Sequence, residues 1–311
     1  MTIQEFIPLG SKTTMRIGGK ARYYADLMIK EDVENAFRFA TEKGIPLIPL
    51  GGGSNTIFAD DVIEALVVRI KADAVIFVEA KRFASTKISV QSGKILASLI
   101  NELAAENLDL SALTGIPGTV GGAIFGNAGQ GPGGVWIDRY VESVTAFVCN
   151  SGQWTVDSGQ WKTLTRGECN FQYRESGFKN LETKNYKLKT YPIIWEATLN
   201  IPSRPATEIK AKIERLIKKR IETQPHLKTA GSCFKATSDG TPAWKLIDAA
   251  GLRGLKIGDI QVAEKHANFL LNVGKGTFID AVTIVKKIRE KVPEIAGIEM
   301  RFYSSNGQVV L

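Results

Sequence analysis

Residues 113–134 read LTGIPGTVGGAIFGNAGQGPGG, with nine glycines in 22 positions, inside a 28-residue stretch from Leu110 to Ile137 that carries no charge. Glycine at this density lets backbone come close to another group, which marks a ligand-holding surface. A long uncharged run also raises the possibility of a membrane span. The internal prolines, Asn127, Gln130 and the glycines themselves would leave backbone polar groups unsatisfied in lipid, so that reading fails.

Working outward, the segment before this stretch alternates strand and helix. An apolar strand is predicted over 23–29, then a helix over 31–43 closed by Gly44, then the strand PLIPL ending at Leu50. Gly51, Gly52, Gly53, Ser54 and Asn55 follow directly. Short strands are expected over 65–70, 75–79 and 88–93, and a helix over 94–106 with Leu96, Leu99, Ile100 and Leu103 on one face. Beyond the glycines come strands over 141–148 and 186–201, then Pro202, Ser203, Arg204 and Pro205, where a domain boundary is expected near 203. The remainder reads as helix 206–223, a loop with Gly231, helix 241–250, strands 259–263 and 268–272, helix 277–291 and strand 297–303. This is a small α/β layer structure.

At 311 residues and 44% hydrophobic the chain has enough apolar material for a substantial core, and its length favours about two domains. MTIQEFIPLG has an early acid and no apolar run of signal-peptide length, and no C-terminal anchor motif follows, so a cytoplasmic protein is expected. Cys149, Cys169 and Cys233 are odd in number and far apart, which argues for reduced thiols and against a disulfide framework or a structural zinc. No metal is expected. The net charge of +8 fits nucleic acid, an anionic surface or an anionic small molecule. The densest basic stretch, EIKAKIERLIKKRIE (208–222), carries Ile209, Ile213, Leu216, Ile217 and Ile221 at helical spacing with cations on the other face. It contains no aromatic for base stacking, which counts against nucleic acid.

Several short motifs carry chemistry. After a strand, Gly51 to Asn55 offers backbone N–H groups to a pyrophosphate, with Ser54 and Asn55 adding side-chain donors, although it matches neither G-x-G-x-x-G nor a Walker A loop. Gly115, Pro117, Gly118, Gly121 and Gly122 form a second set some 60 residues later, a spacing natural for two loops meeting on one extended cofactor. Arg174, between Tyr173 and Glu175, presents the planar fork suited to a carboxylate or phosphate, or else a surface ion pair. Ser232 in AGSCFK reads as nucleophile, proton donor or turn residue. With only His226 and His266 in the chain and no G-x-S-x-G elbow, hydrolase chemistry is disfavoured. Glu299 lies in an apolar strand pattern. Cys233 and His266 read as packing and hydrogen-bonding residues.

In this order the motifs resemble the UDP-N-acetylenolpyruvoylglucosamine reductases, flavin enzymes of peptidoglycan precursor synthesis. The resemblance runs end to end: TTMRIGG (13–19), LGGGSN (50–55), GIPGTVGGAI (115–124), NAG (127–129), ECNFQYRESGFK (168–179), AGSCFK (230–235), LIDAAGLRG (246–254), EKHANFLLN (264–272) and Glu299. It implies an α/β fold with an FAD-binding domain of the vanillyl-alcohol-oxidase (PCMH) type over 1–202, in lobes of about 1–72 and 73–202. A smaller C-terminal α/β substrate domain would occupy 203–311.

The resemblance further implies that FAD is held by Gly51, Gly52, Gly53, Ser54, Asn55 and Thr56 together with Gly115, Pro117, Gly118, Gly121, Gly122 and Ala123. NADPH would be the reductant, and the substrate the enolpyruvyl ether of a UDP-amino sugar. Hydride addition at the methylene carbon leaves negative charge on C2 and the carboxylate. Arg174 would hold that charge, Ser232 would give the proton to C2, and Glu299 would take the third catalytic position. Tyr173, Lys228, Lys235 and His266 are expected on the substrate side. The chain looks closest to the family's shorter subtype and is expected to be a monomer that binds neither nucleic acid nor membrane. It departs from the family at Gln130, Gly131 and Pro132, where Ala, Tyr and Gly are usual, at Thr223, usually Lys, and at Ala236 and Thr237, usually Asn and Pro. All three departures touch the substrate side.

Overall fold

The computed structural model describes residues 1–80, 85–130, 134–149, 158–180, 191–295 and 297–311. The first half of the chain runs β1 (Gln4–Pro8), β2 (Lys20–Leu27), α1 (Lys30–Lys43), β3 (Leu47–Pro49), β4 (Thr56–Phe58), β5 (Val62–Ile70), β6 (Val75–Ala80), β7 (Ser85–Gln91), α2 (Leu96–Ala105) and α3 (Val120–Phe125). Next come β8 (Val141–Cys149), β9 (Gly159–Thr165), α4 (Gly177–Asn180), β10 (Ile193–Pro202) and α5 (Ala206–Thr223). The last part holds β11 (Thr229–Ser232), α6 (Ala243–Ala249), β12 (Lys256–Ile257), β13 (Ile260–Val262), β14 (Phe269–Asn272), α7 (Phe278–Lys291) and β15 (Arg301–Tyr303).

Two compact units form. One comprises Met1–Ile3, Tyr24–Gly51 and Leu66–Lys218, the other Gln4–Tyr23, Gly52–Ala65 and Lys219–Leu311. The sequence predicts a single cut near 203, whereas the units interleave the first 65 residues. In the second unit the reason is visible. β4 pairs in parallel with β15, Thr56 to Arg301 through Phe58 to Tyr303, and Met15, Ile17 and Ile57 are buried in one core with Ile247, Ile284 and Phe302.

In the first unit, β6, β7, β10, β8 and β9 form one sheet in that order, with every neighbouring pair antiparallel. Its core joins Ile88 and Val90 of β7 and Leu199 of β10 to Leu99 and Leu103 of α2, Ile124 of α3 and Ile209 of α5. The predicted strand–helix–strand start is present as β2, α1 and β3, with β5 lying between the two strands. α1 ends as its sequence predicts, because Gly44 takes a left-handed φ of +63° and donates to Ala40 and Thr41 carbonyls. Ala206 N–H donates to Asn107 Oδ1 at 2.9 Å, capping the first turn of α5 from a distant loop. Only the first half of the expected apolar stripe of α5 is buried, at Ile209 and Ile213, while Ile217 and Ile221 remain 43% and 52% exposed. Among the described residues no helix is long and apolar enough to cross a membrane.

In the second unit, β11, β14, β13 and β12 form an antiparallel sheet. α7 starts at a capping box in which Thr277 Oγ1 accepts from Asp280 N–H and Asp280 Oδ2 accepts from Thr277 N–H. Two departures from the sequence reading matter here. The segment read as a loop around Gly231 is strand β11, and Glu299 lies outside β15, which begins at Arg301. The sequence reading also passes over β1, β4 and β9, which are short or lack strict alternation.

Asp109 closes the first unit near its last strand. Its carboxylate accepts from Ser111 Oγ and from Ser111 N–H (3.0 Å) and pairs with Arg204 (3.0 Å) and Lys212 (3.5 Å). Burial alone would raise its pKa, but the Ser111 hydrogen bonds and the Lys212 ammonium outweigh that and hold it below the ordinary carboxylate value. A depressed folded-state pKa stabilises the fold above the unfolded pKa of about 3.9, and the gain is lost as pH falls through the folded value. Asp109→Asn is therefore expected to cost about 2 kcal/mol at neutral pH. In urea titrations its deficit relative to the unchanged protein should shrink below about pH 4.

Candidate active site

In the second unit the residues singled out near the C-terminus meet those of the first glycine loop. Thr229 pairs with Leu271 and Ser232 with Phe269, so β11 carries one extra residue between these pairs, and Gly231 there has φ +79°. This is a bulge of the kind that re-aims the next side chain, here Ser232. Asn268 then fixes the strand beyond it. Its Oδ1 accepts from Phe234 N–H (2.9 Å), its Nδ2 donates to the Phe234 carbonyl (2.8 Å) and its own carbonyl accepts from Cys233 N–H (2.8 Å). Opposite this segment runs 297–299, with Lys235 N–H on the Gly297 carbonyl (2.9 Å) and Glu299 N–H on the Cys233 carbonyl (2.8 Å). Cys233 and Glu299 thus stand opposite each other on a two-strand ladder, with Ser232 one residue before Cys233; Ser232 and Glu299 are both half-buried.

The glycine loop locks onto the same ladder. Asn55 Nδ2 donates to the Glu299 carbonyl (2.9 Å), and Arg301 N–H donates to the Asn55 carbonyl (3.0 Å). The TTMRIGG loop supports it from below, since Thr14 N–H donates to the Gly53 carbonyl (3.0 Å) and Thr14 Oγ1 to the Thr229 carbonyl (2.6 Å). Gly53 has φ +67°, and a Cβ there would stand 2.1 Å from the Lys12 carbonyl oxygen. Gly52 and Ser54 complete this turn, and Thr56 opens β4.

The other second-unit candidates frame the ladder. Burial pushes the fully buried Cys233 thiol well above its ordinary pKa, and the Glu299 carboxylate adds to the shift, so Cys233 is a packing residue and not a thiolate. His266 packs edge-on against Phe269 (4.8 Å) and near Trp244 (6.0 Å). Burial and the Arg253 cation lower its pKa, and its Nδ1 accepts from Asn268 N–H (3.3 Å). It is therefore neutral near pH 7. Lys235 lies along Gly297, where a Cβ would meet its side chain at 3.1 Å. Lys228 is exposed, and its carbonyl accepts from Asn272 N–H (2.9 Å).

Arg174 and the long glycine stretch belong to the first unit. Gly115 and Gly118 take φ values of +80° and +108°, which glycine alone adopts freely. Pro117 lies between them, and Thr119 caps α3, its Oγ1 accepting from Gly122 N–H (3.3 Å). Gly121 sits against Ser92, and Ala123 is buried. Gly51 reaches this helix start, since a Cβ on it would stand 2.9 Å from Thr119 Oγ1 and 3.7 Å from Gly122 Cα. Further along, Trp136 lies flat over Gly129, whose Cβ would fall 1.5 Å from the indole Cδ1, and packs 5.7 Å from Tyr173. Tyr173 and Arg174 are the central residues of a turn that Gln172 and Glu175 close by exchanging backbone hydrogen bonds of 3.0 and 3.1 Å. Arg174 holds a left-handed φ of +56° there. Of the three family departures, Gly131 and Pro132 lie outside the described residues. Gln130 Nε2 bonds the Ala112 and Thr114 carbonyls, and Thr223 Oγ1 donates to the Lys219 carbonyl (2.7 Å).

Sequence reasoning missed the residues that do the holding: Thr14, Thr119, Asn127 and Asn268. TTMRIGG, NAG and KHANF were visible as motifs. Their side-chain partners lie far away in the chain, and spacing alone carries no signal for such pairs.

Comparisons with known proteins identify the family. A model for the UDP-N-acetylenolpyruvoylglucosamine reductase C-terminal domain matches residues 224–302, and an FAD binding domain model matches residues 25–156. UDP-N-acetylenolpyruvoylglucosamine reductase of Aquifex aeolicus is 34% identical over 310 residues, covering 97% of this chain and 95% of its own. That of Chlamydia trachomatis serovar D is 33% identical over 291 residues, covering 93% and 91%. Among solved structures, UDP-N-acetylenolpyruvylglucosamine reductase from Thermus caldophilus superposes with a TM-score of 0.77 at 27% identity, over 97% of this chain and 99% of its own. The chain belongs to the UDP-N-acetylenolpyruvoylglucosamine reductase family, with an FAD-binding domain followed by the family's C-terminal domain.

Proposed function

We propose that this chain reduces the enolpyruvyl group of UDP-N-acetyl-3-O-(1-carboxyvinyl)-glucosamine to give UDP-N-acetylmuramate, with NADPH as reductant. The observation that carries the reading is the 34% identity to a family member over nearly the whole chain, supported by a ladder that bonds Glu299 to Cys233, the residue after Ser232. We further assign it to the cytoplasm as a monomer, without nucleic-acid or membrane partners, in wall synthesis that serves cell shape and division. The absence of aromatics from the basic helix α5 supports the nucleic-acid part of that assignment.

The residues present fit FAD. A dinucleotide pyrophosphate needs backbone N–H groups at close range, and Gly53 leaves no room for a side chain between its loop and Lys12. Gly51 likewise lies against the Thr119–Gly122 turn. One residue before Gly115, the Thr114 hydroxyl is buried with no hydrogen-bond partner among the described residues, a polar group that a ligand would satisfy. When bound, FAD supplies the two-electron transfer from NADPH to the enolpyruvyl group. Gly51 to Thr56 and Gly115 to Ala123 would hold the cofactor by close approach of their backbone, the N–H groups of Gly121, Gly122 and Ala123 being already bonded to Ser92 and Thr119.

Addition of hydride at the methylene carbon converts it to a methyl group and leaves the electron pair on C2, delocalised into the carboxylate. Arg174 binds that carboxylate as a preorganised cation, so its charge requires no solvent reorganisation as the negative charge grows. Ser232 Oγ gives its proton to C2, completing the lactyl ether, and Glu299 takes the third catalytic position. Tyr173, Lys228, Lys235 and His266 line the substrate side. His266, neutral as buried, acts as a packing and hydrogen-bonding surface and not as a cation.

Two experiments test this reading. Gly53→Ala should weaken flavin binding on the order of tenfold, because a Cβ at a left-handed φ strains the loop; full flavin content in the purified variant would remove this loop from the cofactor site. Ser232→Ala should leave reduction of bound flavin by NADPH intact and slow its reoxidation by the enolpyruvyl UDP-sugar by about 100-fold or more. If the unchanged protein oxidises NADPH no faster with that sugar than without it, the substrate assignment is wrong.

A further inference from the structure

Arg174 is held in a conformation that its own side chain disfavours. A left-handed φ is unfavourable for a non-glycine residue, and such outliers persist only where neighbouring groups over-determine them. Three anchors surround the turn. Ser176, fully buried, donates through Oγ to the Phe125 carbonyl at 2.7 Å, at the end of α3. Lys179 Nζ donates to the Arg174 carbonyl and lies 3.8 Å from the Glu175 carboxylate. Asn127 Nδ2 donates to the Gln172 carbonyl at 2.9 Å.

The Asn127 anchor differs from the other two. The Gln172 carbonyl already accepts from Glu175 N–H (3.1 Å) to close the turn, so the Asn127 bond occupies its second lone pair. Asn127 is 1% exposed and has φ +40°, a region that asparagine tolerates better than most residues. Its Oδ1 accepts from Asp138 N–H (3.3 Å), which fixes the orientation of the amide. Its side chain therefore runs from the uncharged glycine stretch directly to the first residue of the turn that bears Arg174.

We propose that Asn127 is the positioning residue for Arg174, setting the turn in the conformation that presents the guanidinium. The inference rests on the role given above to Arg174. Asn127→Asp is nearly isosteric, keeps the backbone preference and keeps an acceptor for Asp138 N–H. It replaces the donor facing the Gln172 carbonyl with an acceptor, so the turn loses its second bond and gains repulsion.

The test is a double-mutant cycle on the flavin-loaded enzyme, using Asn127→Asp, Arg174→Lys and the pair. The reoxidation rate of NADPH-reduced flavin by the enolpyruvyl UDP-sugar is the readout, alongside flavin content and reduction rate by NADPH. Asn127→Asp is expected to slow reoxidation about tenfold, as displacement of a catalytic group does, with reduction by NADPH unchanged. In the Arg174→Lys background it should add nothing, because no guanidinium remains to be positioned. Losses that multiply, with Arg174→Lys itself impaired, overturn the role of Asn127 while sparing that of Arg174. An Arg174→Lys enzyme that reoxidises normally overturns both. Should Asn127→Asp fail to retain flavin, Asn127→Gly serves the same cycle, because glycine accepts the left-handed backbone without adding a charge.

Discussion

The peptide group on either side of Glu299 is bonded twice: its N–H to the Cys233 carbonyl at 2.8 Å, and its carbonyl from the Asn55 side chain at 2.9 Å. Three parts of the chain that are remote in sequence meet at this residue. It sets Glu299 opposite Cys233, and it ties the first glycine loop to the last strand pair. The buried core of Ile57, Cys233, Phe234, Met300 and Phe302 closes behind it, so the ladder is held by packing as well as by hydrogen bonds.

The first unit repeats the principle with different chemistry. Its glycines permit close approach at one end of the stretch, where Gly51 meets Thr119 and Gly122, and at the other end, where Gly129 admits the Trp136 ring. Between them Asn127 and the end of α3 hold the Arg174 turn. One uncharged segment thus serves two tasks, and both depend on the small size of glycine and on one amide side chain. The turn it supports carries Arg174.

Helices with caps of their own were readable in the chain. Gly44 ends α1, and Thr277 with Asp280 starts α7, because these signals lie within a few residues of the element they bound. The candidate site residues were also legible as types, since an arginine, a serine and a glutamate in family-specific motifs name the chemistry without its geometry. Gly231 illustrates the limit. A glycine in the stretch KTAGSC reads as a loop, yet pairing with β14 makes it a strand bulge. β4 is three residues long and is a strand only because β15, over 240 positions later, pairs with it.

By itself the sequence determined the α/β class, the family and the cofactor, because these follow from local pattern and ordered motifs. Only the tertiary structure decided that Gln4–Tyr23 and Gly52–Ala65 join the C-terminal unit, that Glu299 lies on a ladder with Cys233, and that Asn127 reaches the Arg174 turn. Each of these is a hydrogen bond or a packing contact between residues distant in the chain. Such contacts are chosen by burial and by the need to pair every buried polar group, and neither can be read from spacing along the sequence.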